Sequence, residues 1–171
     1  MRISSVLIVF MILLSSFTAK ADFPSGISLA KILTLNEGLS NSSVLSIAVA
    51  PEMIFIGTER NLSILKKDGS IAIWGPQNSP LAYPKIPAVV VKGNEIWASC
   101  RDPMTGGGTL RFDGLQWYRY EEIKDDMQSN YVTCFHVDEK NVLWIGHESQ
   151  GVNEFVQGTN PYKKFGYLAT K

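Results

Sequence analysis

The chain has 171 residues, 45% of them apolar, and its 16 Lys and Arg are balanced by 16 Asp and Glu. That length makes one ordinary domain, and the neutral balance leaves no electrostatic footprint for nucleic acid and no basic stripe for anionic lipid. The elements below are taken in chain order.

Arg2 supplies a positive start, Val6 to Leu14 is an unbroken apolar run, and Ala19-Lys20-Ala21 offers small residues around a cleavage point. This is the pattern of a signal peptide, predicted to span residues 1–21 with cleavage after Ala21. A run of nine apolar residues falls short of the ~20 that span a bilayer, and serines at 4, 5, 15 and 16 interrupt any extension. No later segment is apolar enough to cross, so the mature chain is expected to be periplasmic or secreted. Removal leaves 171 − 21 = 150 residues, with a net charge of 14 − 16 = −2 because Arg2 and Lys20 are lost.

Residues 27–35 have strand-like content and precede a turn-rich connector, Asn36 to Asn41. They are predicted to be an orphan outer strand whose own blade is missing. A similar connector occupies residues 122–130.

A repeated stretch follows. Met53-Ile54-Phe55-Ile56-Gly57, Glu95-Ile96-Trp97-Ala98-Ser99 and Val142-Leu143-Trp144-Ile145-Gly146 place their aromatics 42 and 47 residues apart. A period of roughly 40–50 residues with several short strands per unit is the signature of propeller blades. The predicted fold is therefore all-β, with three four-stranded blades over residues 44–83, 84–129 and 130–168.

Within each blade the first strand alternates. Ile47/Val49, Val89/Val91 and Phe135/Val137 hold one parity, and mostly small residues such as Ser46/Ala48 and Cys134 hold the other. The second strand is the repeated stretch, apolar at both parities, as in a strand buried on both faces. Third strands are predicted from Leu62, Leu110 and Val152, and Asp68-Gly69 and Asp113-Gly114 are hairpin signals into fourth strands ending near Trp74 and Tyr120. No stretch shows helical periodicity.

Asn36-Glu37-Gly38-Leu39-Ser40-Asn41-Ser42-Ser43-Val44, Phe55-Ile56-Gly57-Thr58, Leu143-Trp144-Ile145-Gly146-His147 and Leu110-Arg111-Phe112-Asp113-Gly114 together resemble the two-component regulator propeller repeat. The resemblance covers residues 27–167 and implies propeller blades of the kind found in periplasmic sensing parts of hybrid sensor kinases. The sequence departs from that pattern at Ala98-Ser99-Cys100, at Asn61 where glycine is expected, and at Gln157 in place of a hairpin aspartate. No kinase, receiver or DNA-binding module accompanies the blades.

Loops after successive second strands emerge on one face of a propeller, where binding residues tend to sit above a rigid scaffold. This would gather Glu59, Arg60, Arg101, Asp102, His147 and Glu148 around one mouth. No catalytic constellation, metal-ligand spacing or cofactor motif is evident. His136 and His147 are read as polar residues within blades, and Gly106-Gly107-Gly108 as a flexible insertion lengthening the second repeat. Trp97 and Trp144 are expected in the core, whereas Trp74, Trp117 and Tyr118 are freer to contact a glycan. Export places Cys100 and Cys134 where a disulfide could form, but their positions in successive blades favour two buried free thiols.

The reading is an exported, non-catalytic propeller module that binds a small ligand or protein partner through one face. Its alternatives are a fragment of a propeller enzyme such as a polysaccharide lyase, or a truncated sensor-kinase product. Propellers close with four to eight blades. Three blades are therefore expected to self-associate, most simply as a six-bladed pair, or to belong with missing blades.

Overall fold

The computed structural model describes residues 31–102, 104, 106–125, 127–155 and 162–165, and of 123, 124 and 162–165 the backbone. The predicted signal peptide and Gln157 lie outside these residues. From residue 34 onward the chain forms three four-stranded antiparallel sheets, each in sequential strand order. Blade 1 holds β1 (Val44–Val49), β2 (Met53–Thr58), β3 (Leu62–Lys66) and β4 (Ile71–Trp74). Blade 2 holds β5 (Val89–Lys92), β6 (Glu95–Asp102), β7 (Gly106–Phe112) and β8 (Trp117–Tyr120). Blade 3 holds β9 (Val132–Val137), β10 (Leu143–His147), β11 (Val152–Phe155) and β12 (Tyr162–Phe165).

The inner strands adjoin, β1 beside β5 and β5 beside β9, so the sheets stack around a common inner edge. The first interface buries Ala48, Phe55 and Ile64 of blade 1 against Val89, Ile96, Ala98 and Leu110 of blade 2. The second buries Trp97 of blade 2 among Val132, Leu143, Ile145 and Phe155 of blade 3. Strand parity explains both. Alternate side chains leave opposite faces of a strand, so Phe55 and Trp97 point to the following blade, while Ile96, Ala98, Leu143 and Ile145 point back to the preceding one. Trp97 has no exposed surface and sits 4.6 Å from the Phe155 ring, edge to face. Full burial of such side chains stabilises by ~1.5–3 kcal/mol each relative to exposure.

Glycine is demanded at one motif position by close approach. A Cβ on Gly57 would lie 2.5 Å from the Ile86 carbonyl, where the chain enters blade 2. Asn61 takes φ 75°, the left-handed conformation, where the repeat ordinarily has glycine, and asparagine is the side chain that best tolerates it.

Three expectations are corrected. Residues 31–34 do not form a strand, and Leu35–Glu37 is a 3-10 turn closed by a capping box between Thr34 and Glu37. The described part of the predicted orphan strand is thus connector. The glycine triplet is strand rather than a flexible loop: Gly106, Gly107 and Gly108 pair with Asp102, Arg101 and Cys100, and so lengthen the β6–β7 hairpin of the second repeat. Absence of a side chain at Gly107 lets the Asn130 carbonyl pack there. Finally, a four-residue helix, Glu122–Asp125, occurs in the connector between blades 2 and 3.

Candidate functional site

One scheme recurs at the ends of the second strands in all three blades, although Arg101 and Asp102, expected in a loop, lie within β6 (Glu95–Asp102), which runs longer than its counterparts. Glu59 N–H donates to the Ser43 carbonyl (3.0 Å), Arg101 N–H to Lys85 (2.9 Å) and Glu148 N–H to Tyr131 (3.0 Å). Each acceptor lies just ahead of the inner strand, so the loop is tied to the connector that feeds its own blade. These bonds set the three loops on a common face.

Beneath these positions Thr58 and His147, the last residues of β2 and β10, and Cys100, within β6, each hold the same connector. In blade 1 the Thr58 hydroxyl lies 3.1 Å from the Ser40 hydroxyl, while Ser40 N–H donates to Ser63 Oγ (3.0 Å). In blade 3 Gln128 N–H donates to Asn153 Oδ1 (2.9 Å), which also bonds His147 Nε2 (2.7 Å). Because Oδ1 only accepts, the imidazole donates from Nε2. In blade 2 the backbone at Tyr83 and Ala82 hydrogen-bonds the Cys100 thiol, whose pKa burial pushes up. The buried apolar residues Leu39, Leu81 and Met127 anchor the three connectors beside these bonds.

This corrects the place of His147. It was expected at the mouth of the face, but it is 8% exposed and fastened from below. Burial is the largest influence on its imidazole and lowers its pKa from the ordinary 6.5, outweighing the hydrogen bond to Asn153. The ring is therefore held neutral.

The other candidates do gather, as a line of ion pairs across the blades. Glu59 of blade 1 pairs with Lys85 (2.8 Å), and Lys85 bridges in backbone register to Arg101 of blade 2. Arg101 pairs with Glu148 of blade 3 (3.3 Å), and its guanidinium stands 5.6 Å from the centre of the Tyr131 ring. Asp102 lies one residue further on, its carboxylate accepting from Met104 N–H (2.9 Å). Arg60 leaves this line. It is exposed at the outer edge of blade 1, lining a notch of about 480 Å³ with Asn61, Gly75, Asn78 and Pro84. Lys85 was invisible to sequence reasoning, since it sits in a connector with no repeated partner.

The aromatic residues considered for glycan contact are mostly engaged in packing. Trp74 and Trp117 lie 5.1 Å apart in an edge-to-face pair that also includes Phe112, closing the outer side of the first interface. Tyr118 carries the Arg111 guanidinium 4.8 Å above its ring. Both cysteines are free, but only Cys100 is buried; Cys134 is exposed, against expectation. Among the described residues no three His, Cys, Asp or Glu side chains converge as a metal site.

Stacked four-stranded blades with adjoining inner strands define a β-propeller protein. Residues 126–149 match the model of the two component regulator propeller family. Solved structures agree on the fold. The extracellular domain of the hybrid two component system BT3049 from B. thetaiotaomicron superposes with a TM-score of 0.64 at 17% identity, over 80% of this chain and 20% of that one. The extracellular domain of the one component system BT4673 from the same organism gives 0.55 at 11% identity, over 74% and 16%. An ancestral GH74 enzyme gives 0.50 at 20% identity, over 68% and 18%. The chain thus spans a fifth or less of the length of these proteins. No curated protein matches it. No helix among the described residues is long and apolar enough to cross a membrane.

Proposed function

We propose that this chain is an exported, non-catalytic sensing module that binds a small ligand or a segment of protein on the face carrying the loops after the second strands. The observation that supports it is the line Glu59–Lys85–Arg101–Glu148, which sets two adjacent cations between two carboxylates across three blades on a backbone-tied scaffold. Glu59 and Glu148 keep about half of their side-chain surface exposed. With Arg60 at the outer notch, the face offers two carboxylates and a guanidinium to a polar ligand. Each surface ion pair contributes only ~0–1 kcal/mol, so a ligand can replace one at little cost. The resemblance to sensor extracellular domains supports the same reading, with periplasmic or secreted placement.

Thermal-shift screening of the purified chain against soluble oligosaccharides and amino acids tests this. A stabilising ligand whose effect is lost in Arg60→Ala and Glu148→Ala is the expected result. A ligand unaffected by both changes would move the site elsewhere, and turnover of an oligosaccharide would replace this reading with that of a propeller enzyme.

A further inference from the structure

Three of the four described arginines are paired: Arg101 with Glu148, Arg111 with Glu95 and Arg119 with Glu121. Arg60 is in no ion pair among the described residues, and the carboxylate beside it in sequence, Glu59, is taken by Lys85 at 2.8 Å. A lone surface arginine means little by itself. This one borders a notch whose walls are held in place.

Arg60 N–H donates to the Thr58 hydroxyl (3.0 Å), and that hydroxyl lies 2.8 Å from the Arg60 carbonyl, so the backbone carrying the guanidinium is fixed from both sides. Asn78 fixes the turn after β4: its Oδ1 accepts from Gly75 N–H (2.9 Å) and its Nδ2 donates to the Ile73 carbonyl (2.8 Å). Asn61 joins the two. Its N–H donates to the Pro84 carbonyl, and its carboxamide lies so close over Gly75 that a Cβ there would collide with it.

The backbone at 61 does not need that side chain. Gly151 holds the same place in blade 3, just ahead of the third strand, with φ 83° against 75° at Asn61. Each carbonyl accepts from the last residue of the second strand, Asn61 from Thr58 N–H and Gly151 from His147 N–H. The Asn61 carboxamide is thus surplus to the turn, and among the described residues it makes no hydrogen bond. Nor does that of Gln77, which lines the same notch.

We propose that this notch binds a small sugar acid, with the Arg60 guanidinium on the carboxylate and the Asn61 and Gln77 carboxamides on the hydroxyls. The proposal rests on the reading of the loop face as a binding face, and names the chemistry of what that face takes. A guanidinium presents parallel N–H donors that match the two oxygens of a carboxylate. A carboxamide both donates and accepts, as a partner for hydroxyls must. A single cation suits a singly charged carboxylate better than a more highly charged phosphate. At about 480 Å³ the notch falls within the ~300–1,000 Å³ of small-molecule sites.

Isothermal titration calorimetry on the purified chain tests this, with galacturonate, glucuronate and gluconate as probes and galactose, glucose and inorganic phosphate as controls. At least one acid should bind, and each control should bind about tenfold more weakly or not at all. Arg60→Ala should weaken the acid by about tenfold or more. Arg60→Lys, which keeps the charge and loses the fork, should also weaken it. Asn61→Gly, which adopts the backbone already used at Gly151, should lower affinity without changing the melting temperature of the free chain. An acid that binds Arg60→Ala as well as wild type overturns the proposal. Equal binding of galactose and galacturonate, or preferred binding of phosphate, overturns it while leaving the face a binding face. Silence from all three acids overturns it too, and the oligosaccharide and amino-acid screen then decides separately whether the face binds any ligand.

Discussion

Blade 2 and blade 1 carry nearly the same second strand, yet they sit in different surroundings. In blade 2, Ile96, Trp97 and Ala98 are all buried, because a neighbouring sheet covers each face. In blade 1, Phe55 is buried on one side, while Ile47 and Val49 on the other face solvent. Apolar content at both parities reports what a strand is built to contact. It does not report what is present. Blade 1 therefore keeps the apolar pattern of blade 2 while Ile47 and Val49 stay exposed.

The comparison can be broken most sharply at its best-packed point. Trp97→Ala removes the ring that fills the second interface and should cost ~3–5 kcal/mol, read from urea denaturation. Ile47→Ala, at a side chain 62% exposed, should change stability by no more than ~0.5 kcal/mol. Near-equal losses would mean that the two faces are alike after all.

Gly57→Ala tests the junction between the two blades. The added methyl meets Ser46 Oγ and the Ile86 carbonyl, and overpacking of this kind costs ~1–3 kcal/mol. The melting temperature should fall accordingly, and an unaltered one would show that the connector can move aside.

His147 sharpens the contrast between end blades through pH. Its folded pKa is depressed by burial, so the unfolded chain binds the proton better. The stability it contributes is complete above about pH 6.5 and is lost as the pH falls below that value. Melting temperature should therefore drop between pH 7.5 and 5.5, and drop less in His147→Gln. At neutral pH His147→Ala should cost ~1–3 kcal/mol by leaving Asn153 short of a partner. Identical pH profiles for wild type and His147→Gln would remove the imidazole from the explanation.

A small effect is also expected at Arg101→Ala. Its partner Glu148 is half exposed, and such a pair contributes ~0–1 kcal/mol. A loss well beyond that would make Arg101 part of the scaffold.

Much of the fold was legible because it rests on parity. The alternation of Ile47/Val49, Val89/Val91 and Phe135/Val137 marked one face of each first strand, and the structure turns the last four toward the preceding blade. The glycine triplet was misread because glycine weakens strand propensity, and the cross-strand pairing that overrides it is a tertiary fact. The common face for Glu59, Arg101 and Glu148 followed from the repeat itself. Lys85 did not, since ion pairs depend on distances that no period encodes. The burial of His147 had a signal that went unused: Thr58, Cys100 and His147 differ in size, but each can hydrogen-bond. A position that keeps bonding capacity while changing shape is bound from within. Cys134 was misjudged for the opposite reason: its place inside a strand suggested burial, but that side chain is exposed beside Gly146.

The fastening of each connector beneath its loop bears on how such repeats multiply and recombine. The segment that runs from Leu39 to Ser43 is held by Thr58 and Ser63 of the blade it enters, as Gln128 is held by Asn153. The heritable unit is therefore the connector followed by its blade, from Thr34 through Trp74 in the first copy. A crossover placed at Gly75, after the outer strand, carries every fastening along with the blade it serves. One placed at Val44 severs a blade from the residues that hold its own entry, and the joined product must find new partners for Thr58 and Ser63.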